Sequence, residues 1–160
     1  MKITDVLKKE NIIFELKAQT KDEIIDELIN SLKQNKQIKN INKLKDAILE
    51  REEVLSTGIG KGVAIPHCRT DTVEGIIIAF GKTLLPVDFE SLDNKPVLLI
   101  FLIASNEAMN SEHLKLLNQI GKIASNDELL SRIVRAKDSD EIYNILAELD
   151  NSNNLIGIKY

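Results

Sequence analysis

The chain has 160 residues, enough for one compact domain and hardly two. Apolar residues make up 43% of it, which supplies a core, and charged residues 29%, an ordinary soluble surface. The net charge of −4 argues against a nucleic-acid binder, whose footprint is a basic face, and the lone cysteine, Cys68, rules out an internal disulfide and fits a reducing compartment.

Met1 to Glu10 is polar and of mixed charge, unlike a secretory leader, and the longest apolar run, Val97 to Ala104, is too short to cross a bilayer. The expectation is a cytoplasmic protein with no direct membrane insertion. In chain order, Ile12–Leu16 reads as a strand. Thr20 to Glu23 reads as a capping box that opens a helix over about Lys21–Lys33, with Ile24, Ile25, Leu28, Ile29 and Leu32 at helical spacing. A second helix opens near Asn42, and its inward stripe is Leu44, Ala47, Ile48, Arg51 and Leu55. A glycine-rich stretch, Ser56 to His67, follows and contains a short apolar strand, Val63–Ile65.

Further strands are expected at Gly75–Phe80, weakly at Val87–Phe89, and strongly at Val97–Ile103. The last lacks alternation, as in a central strand covered on both faces. The final third reads as helical. One helix is capped by Asn110 or Ser111, with Leu114, Leu117, Ile120 and Ala124 inward; two more span Asn126–Ala136 and Ser139–Leu149. Strands set among helices predict an α/β domain with a mixed sheet. A single domain over residues 1–150 is expected, with residues 151–160 as a tail that begins at the Asn/Ser-rich piece Asn151–Asn154.

Few residues can carry chemistry. Only two histidines exist, His67 and His113, and no metal-ligand spacing accompanies them. Gly58, Gly60 and Gly62 fit neither a P-loop nor a dinucleotide fingerprint: the lysine that follows Gly60 precedes a glycine, and a helix rather than a strand leads in. Three glycines in five residues let backbone N–H groups approach an anion, or simply make a turn. His67 follows Pro66 at a strand end, held and exposed, or else an idle surface histidine. A guanidinium at Arg51 on an inward stripe needs an anion, an ion pair with Glu52 or Glu53, or a path to solvent. His113 falls in the first turn of its helix on the buried stripe, where a neutral ring is expected.

Taken together, the run Arg51-Glu52-Glu53-Val54-Leu55-Ser56-Thr57-Gly58-Ile59-Gly60-Lys61-Gly62-Val63-Ala64-Ile65-Pro66-His67 resembles the active-site segment of the enzyme IIA domains of the fructose–mannitol type. These belong to the phosphoenolpyruvate-dependent sugar phosphotransferase system (PTS). Glu112-His113-Leu114-Lys115-Leu116-Leu117 resembles the family's second histidine segment, and the likeness runs along essentially the whole chain.

The resemblance implies a three-layer α/β/α sandwich with a central mixed sheet. It implies a phosphotransferase in which His67 takes phosphate from phospho-HPr as a tele-phosphohistidine and passes it to a cysteine-bearing IIB domain. Arg51 and His113 would be its active-site neighbours. Ser56, Thr57, Gly58, Gly60 and Gly62 would contact the phosphate. No metal, nucleotide or other cofactor is needed. The nitrogen-regulatory branch of the family shares the motif, so a regulatory protein that binds partners according to the state of His67 stands beside the transport reading. A nucleotide-binding enzyme is a third class, resting on the glycine loop alone.

Overall fold

The computed structural model describes residues 1–157, and of 152–157 the backbone only. Six strands form one mixed sheet. β1 is Ile12–Leu16, β2 Gly58–Gly60, β3 Val63–Ala64, β4 His67–Arg69, β5 Ile76–Val87 and β6 Val97–Ser105. The order is β1-β5-β6-β3-β2, and β4 also pairs with β6, farther along it than β3. β5 and β6 are antiparallel, as are β2 and β3, whereas β1 runs parallel to β5 and both β3 and β4 run parallel to β6.

Helices cover both faces, which makes three layers. α2 (Lys21–Ser31) and α3 (Ile41–Val54) pack Ile25, Leu28, Leu44 and Ile48 against one face. α1 (Ile3–Val6), α4 (Asn110–Ala124), α5 (Asp127–Arg135) and α6 (Ser139–Gly157) pack Ile3, Ile120, Ile133 and Leu146 against the other. Central β6 explains its own missing alternation: Leu99, Phe101 and Ile103 enter one core while Ile100, Leu102 and Ala104 enter the other. Phe80 and Phe101 meet edge-on at 4.8 Å in the first.

Several expectations shift for physical reasons. β5 runs from the candidate at Gly75–Phe80 as far as Val87, the first residue of the weak candidate Val87–Phe89, whose last two residues are not strand; ladder bonds to β1 and β6 carry it through the more polar Gly81–Thr83. Thr20 does cap α2 by accepting from the Glu23 amide at 3.4 Å, and the helix ends at Ser31. α3 buries Leu44, Ile48 and Glu52; Leu55 lies beyond the helix end and is exposed.

α4 is not capped by Asn110 or Ser111. A 3₁₀ turn, Glu107–Met109, leads into it, and Asn106 caps that turn by accepting from the Ala108 amide at 3.0 Å. The buried stripe of α4 is His113, Leu116, Ile120, Ile123 and Ala124, so Leu114 faces solvent. The expected tail at Asn151 is helical: α6 continues through the Asn-rich piece to Gly157. Its buried Asp150 accepts from the amides of Ile3 and Thr4 at 3.1 and 3.0 Å and from the Thr4 hydroxyl at 2.6 Å, which ties α6 to the start of the chain. Residues 158–160 of the expected tail lie outside the described residues. Among the described residues, no helix is long and apolar enough to cross a membrane.

Candidate active site

β3 and β4 lie end to end along β6, pairing with Leu99–Ile100 and Ile103–Ser105. Ile65 and Pro66 form the joint between them. The Pro66 carbonyl accepts from the Ile103 amide at 2.9 Å, and the Ile65 amide donates to the Thr57 carbonyl at 3.0 Å. The Ile65 carbonyl meets the Nδ1 atom of His67 at 2.6 Å. A carbonyl only accepts, so Nδ1 carries the proton and Nε2 of the neutral ring carries the lone pair.

β4 alternates, so His67 and Arg69 share a side while Cys68 enters the opposite core. α3 reaches this edge from one face and α4 from the other. Between them is an open cavity of about 570 Å³ lined by Arg51, Val54, His67, Arg69, His113 and Leu117, among others. Arg51, in the last turn of α3, is half-buried and donates to the Leu55 carbonyl at 3.2 Å. Among the described residues it has no ion pair with Glu52 or Glu53. Arg69 donates to the side-chain oxygen of Asn110 in the first turn of α4. His113 is buried, and its ring centroid lies 5.6 Å from that of His67.

The electrostatics keep both rings neutral at pH 7. Burial lowers the pKa of His67 from 6.5; the Ile65 carbonyl opposes this, Arg51 and Arg69 add to it, and Glu52 opposes it. For His113, burial, His67 and Arg69 pull together, down to about 4. The neutral ring expected of His113 is present, and burial is the principal cause. The cavity therefore offers one imidazole lone pair, two guanidinium groups and a second neutral imidazole. That set suits an anion approaching a nitrogen nucleophile.

The glycine stretch is placed elsewhere. Ser56, Thr57, Gly58, Gly60 and Gly62 do not line the cavity of His67. Gly58–Gly60 pairs antiparallel with Val63–Ala64, and the turn between them needs φ values of +101° at Gly60 and +80° at Gly62. A Cβ at Gly58 would come within 2.9 Å of the Ser91 backbone. The Ser56 hydroxyl donates to the Phe89 carbonyl at 2.5 Å and accepts from the Gly58 amide at 3.1 Å. The Thr57 amide and hydroxyl both donate to the carboxylate of Glu52, at 2.8 and 2.6 Å. The glycines serve a tight hairpin, and the polar groups of Ser56 and Thr57 are already engaged.

Two features escaped the sequence reading. Arg69 was legible in principle, since it lies two residues past His67, but a three-residue strand leaves no pattern from which to infer alternation. Glu52 left no signal, because a carboxylate on an inward helix position goes against the apolar stripe. It is tolerated through Lys21, 2.9 Å away, and the two donors of Thr57. Among the described residues, no group of three or more His, Cys, Asp or Glu side chains is placed to hold a metal ion.

Comparison with known proteins bears on family and fold. The family model described as "Phosphoenolpyruvate-dependent sugar phosphotransferase system, EIIA 2" matches residues 5–149. The fructose-specific EIIABC component of the PTS from Bacillus subtilis (strain 168) is 37% identical over 150 residues; these are 94% of this chain and 24% of that protein, so the chain spans about a quarter of its length. The nitrogen regulatory protein IIA-Ntr from Neisseria meningitidis superposes with a TM-score of 0.85 at 29% identity, over 90% of this chain and 98% of the other. Enzyme IIAMTL from Escherichia coli, in its complex with phosphorylated enzyme IIBMTL, superposes with a TM-score of 0.75 at 25% identity, over 89% and 97%. With the match covering all but the ends, and with the fold shared, the chain belongs to the EIIA type 2 family of the phosphoenolpyruvate-dependent sugar phosphotransferase system.

Proposed function

We propose that this protein is a cytoplasmic phosphoryl carrier. Nε2 of His67 accepts a phosphoryl group from a histidine-phosphorylated HPr-type carrier and passes it to a cysteine of a IIB domain. The observation that carries this reading is the 2.6 Å contact between Nδ1 of His67 and the Ile65 carbonyl, which leaves Nε2 as the free nucleophile at the cavity.

In the first step the Nε2 lone pair attacks phosphorus, an N–P bond forms, and the donor's N–P bond breaks with its electron pair leaving on the donor imidazole. Positive charge grows on the His67 ring, and the Ile65 carbonyl stabilises it through the Nδ1 proton. In the second step a thiolate of the partner attacks the same phosphorus, and the His67 ring leaves neutral. Positioning and charge dominate such a transfer. Arg51 and Arg69 balance the phosphoryl oxygens, and His113 adds a hydrogen-bond donor. Ser56, Thr57, Gly58, Gly60 and Gly62 brace the approach to His67 rather than cradle the phosphate: the Ser56 hydroxyl, the Thr57 amide and hydroxyl and the Gly58 amide are engaged, and Gly60 and Gly62 shape the hairpin turn. Exposed Val54 and Leu114, 81% and 55% accessible, flank the cavity and give two successive partners a small apolar face to touch. The IIB partner is supported by the complex in which the IIAMTL relative is found.

The test is incubation with phosphoenolpyruvate, enzyme I and HPr, followed by intact-mass measurement. One added phosphoryl group is expected, labile in acid and stable in base, since protonation of a phosphoramidate releases phosphate. His67→Ala should take up none while keeping its circular dichroism. A variant that still gains the group would overturn the assignment, and a label that survives mild acid would move it to a hydroxyl.

The likeness to IIA-Ntr favours a second reading, in which phosphorylation of His67 is a switch for partner binding. A label that moves on to a IIB cysteine supports the relay. A label that stays on His67 beside IIB and changes the affinity for another protein supports the switch.

A further inference from the structure

Ser105 ends β6, opposite Arg69 of β4, and is wholly buried. Its carbonyl accepts from the Thr70 amide at 2.8 Å. Its hydroxyl oxygen lies 2.6 Å from Nδ1 of His113. Among the described residues, this is the one hydrogen bond of that hydroxyl and of that ring.

Two arrangements fit the distance, because either atom can supply the proton. A neutral imidazole has one N–H, and His113 is neutral because burial pulls its pKa to about 4. If Nδ1–H donates, the serine proton is buried without an acceptor, and the Nε2 lone pair is turned toward a cavity suited to anions. If the hydroxyl donates, its proton is used, and Nε2 carries the ring's N–H. A buried donor left without a partner is costlier than a lone pair left unused, so the second arrangement prevails.

We propose that Ser105 is a positioning residue acting through His113. Its hydroxyl donates to Nδ1, holds the ring in the Nε2–H tautomer, and makes the second histidine a donor for the phosphoryl oxygens carried by His67. The two histidines are thereby set in opposite tautomers. His67 offers a lone pair from Nε2, and His113 offers a proton from the same atom. The last step rests on the carrier reading; the tautomer does not.

The experiment records long-range proton–nitrogen spectra of the ¹⁵N-labelled chain at neutral pH, beside single-turnover phosphorylation by phospho-HPr. In the wild type, His113 should appear as the Nε2–H tautomer and His67 as Nδ1–H. In Ser105→Ala the His113 signals should move toward a mixture of tautomers, and transfer should slow by about three- to thirtyfold. Ser105→Thr, which keeps the hydroxyl, should restore both. A wild-type His113 in the Nδ1–H form overturns the proposal, and that spectrum needs no variant to fold. So does a Ser105→Ala protein whose tautomer is unchanged, whatever its rate. Opposite tautomers in a wild type that accepts no phosphoryl group would uphold the Ser105 hydrogen bond and overturn the carrier reading.

Discussion

Glu52→Gln removes a negative charge from a point where three donors converge. The carboxylate takes the Thr57 amide at 2.8 Å, the Thr57 hydroxyl at 2.6 Å and the Lys21 ammonium at 2.9 Å, with side-chain exposures of only 4% for Glu52 and 15% for Lys21. Glutamine fits the space and can still accept from the Thr57 amide, but it leaves the ammonium half of a largely buried pair uncompensated. Breaking such a pair costs about 3–5 kcal/mol, and the lower end applies because Lys21 keeps some water and a contact with the Phe89 carbonyl. For a chain of this size, about 3 kcal/mol lowers the melting midpoint by roughly 6–12 °C. Thermal unfolding at pH 7 measures it, and a double-mutant cycle with Lys21→Met isolates the pair. The double variant should be more stable than the two single losses added together. An unchanged midpoint, or strict additivity, would refute the view that Glu52 fastens the end of α3 to the strand path that leads to His67.

Arg51→Lys should slow phosphoryl transfer about ten- to a thousandfold through loss of the planar fork. Its melting curve should stay nearly in place, because Arg51 contacts one carbonyl and no buried carboxylate; a lowered midpoint with a normal single-turnover rate would remove it from the site. The pKa of His113 is about 4 folded and near 6.5 unfolded, so between those values the unfolded chain binds more protons. Stability should therefore fall, by at most about 3 kcal/mol, as pH drops from 6.5 toward 4. In His113→Gln the melting midpoint should fall less steeply over that window, and parallel curves would contradict a neutral buried ring.

Much of the scaffold was legible because it follows period and cap. β1 falls on Ile12–Leu16 as read, and the apolar residues that mark α2 are the ones it buries. The stripe of α3 was mis-phased, since an apolar template admits Leu55 and rejects Glu52, whereas the fold buries Glu52 through its ion pair. α6 ran past its expected end at Leu149, and Asp150, the next residue, holds the amides of α1, a contact between the two ends of the chain that local pattern does not reveal. At the site, an ordered motif singles out His67, Arg51 and His113, and these line one cavity, where Arg69 joins them through strand alternation. For the glycines, backbone freedom has two uses, and a local string does not distinguish a hairpin from an anion cradle; the fold uses them in a hairpin.

The alternation that brings Arg69 beside His67 also turns Cys68 away. Its thiol lies in the opposite core, and burial pushes its pKa up to about 12, so only ~1 molecule in 10⁵ carries a thiolate at neutral pH. Sulfur is the atom to which the phosphoryl group is proposed to move next, and the chain's one sulfhydryl belongs to the residue adjacent in sequence to the one that would carry it. Directed to the wrong face and unionised, it is no acceptor. On the carrier reading, a phosphoramidate at His67 therefore finds no thiolate acceptor among the described residues. It would then drain to water or wait for a partner's thiolate, and encounter with that partner would set the lifetime of the charged state.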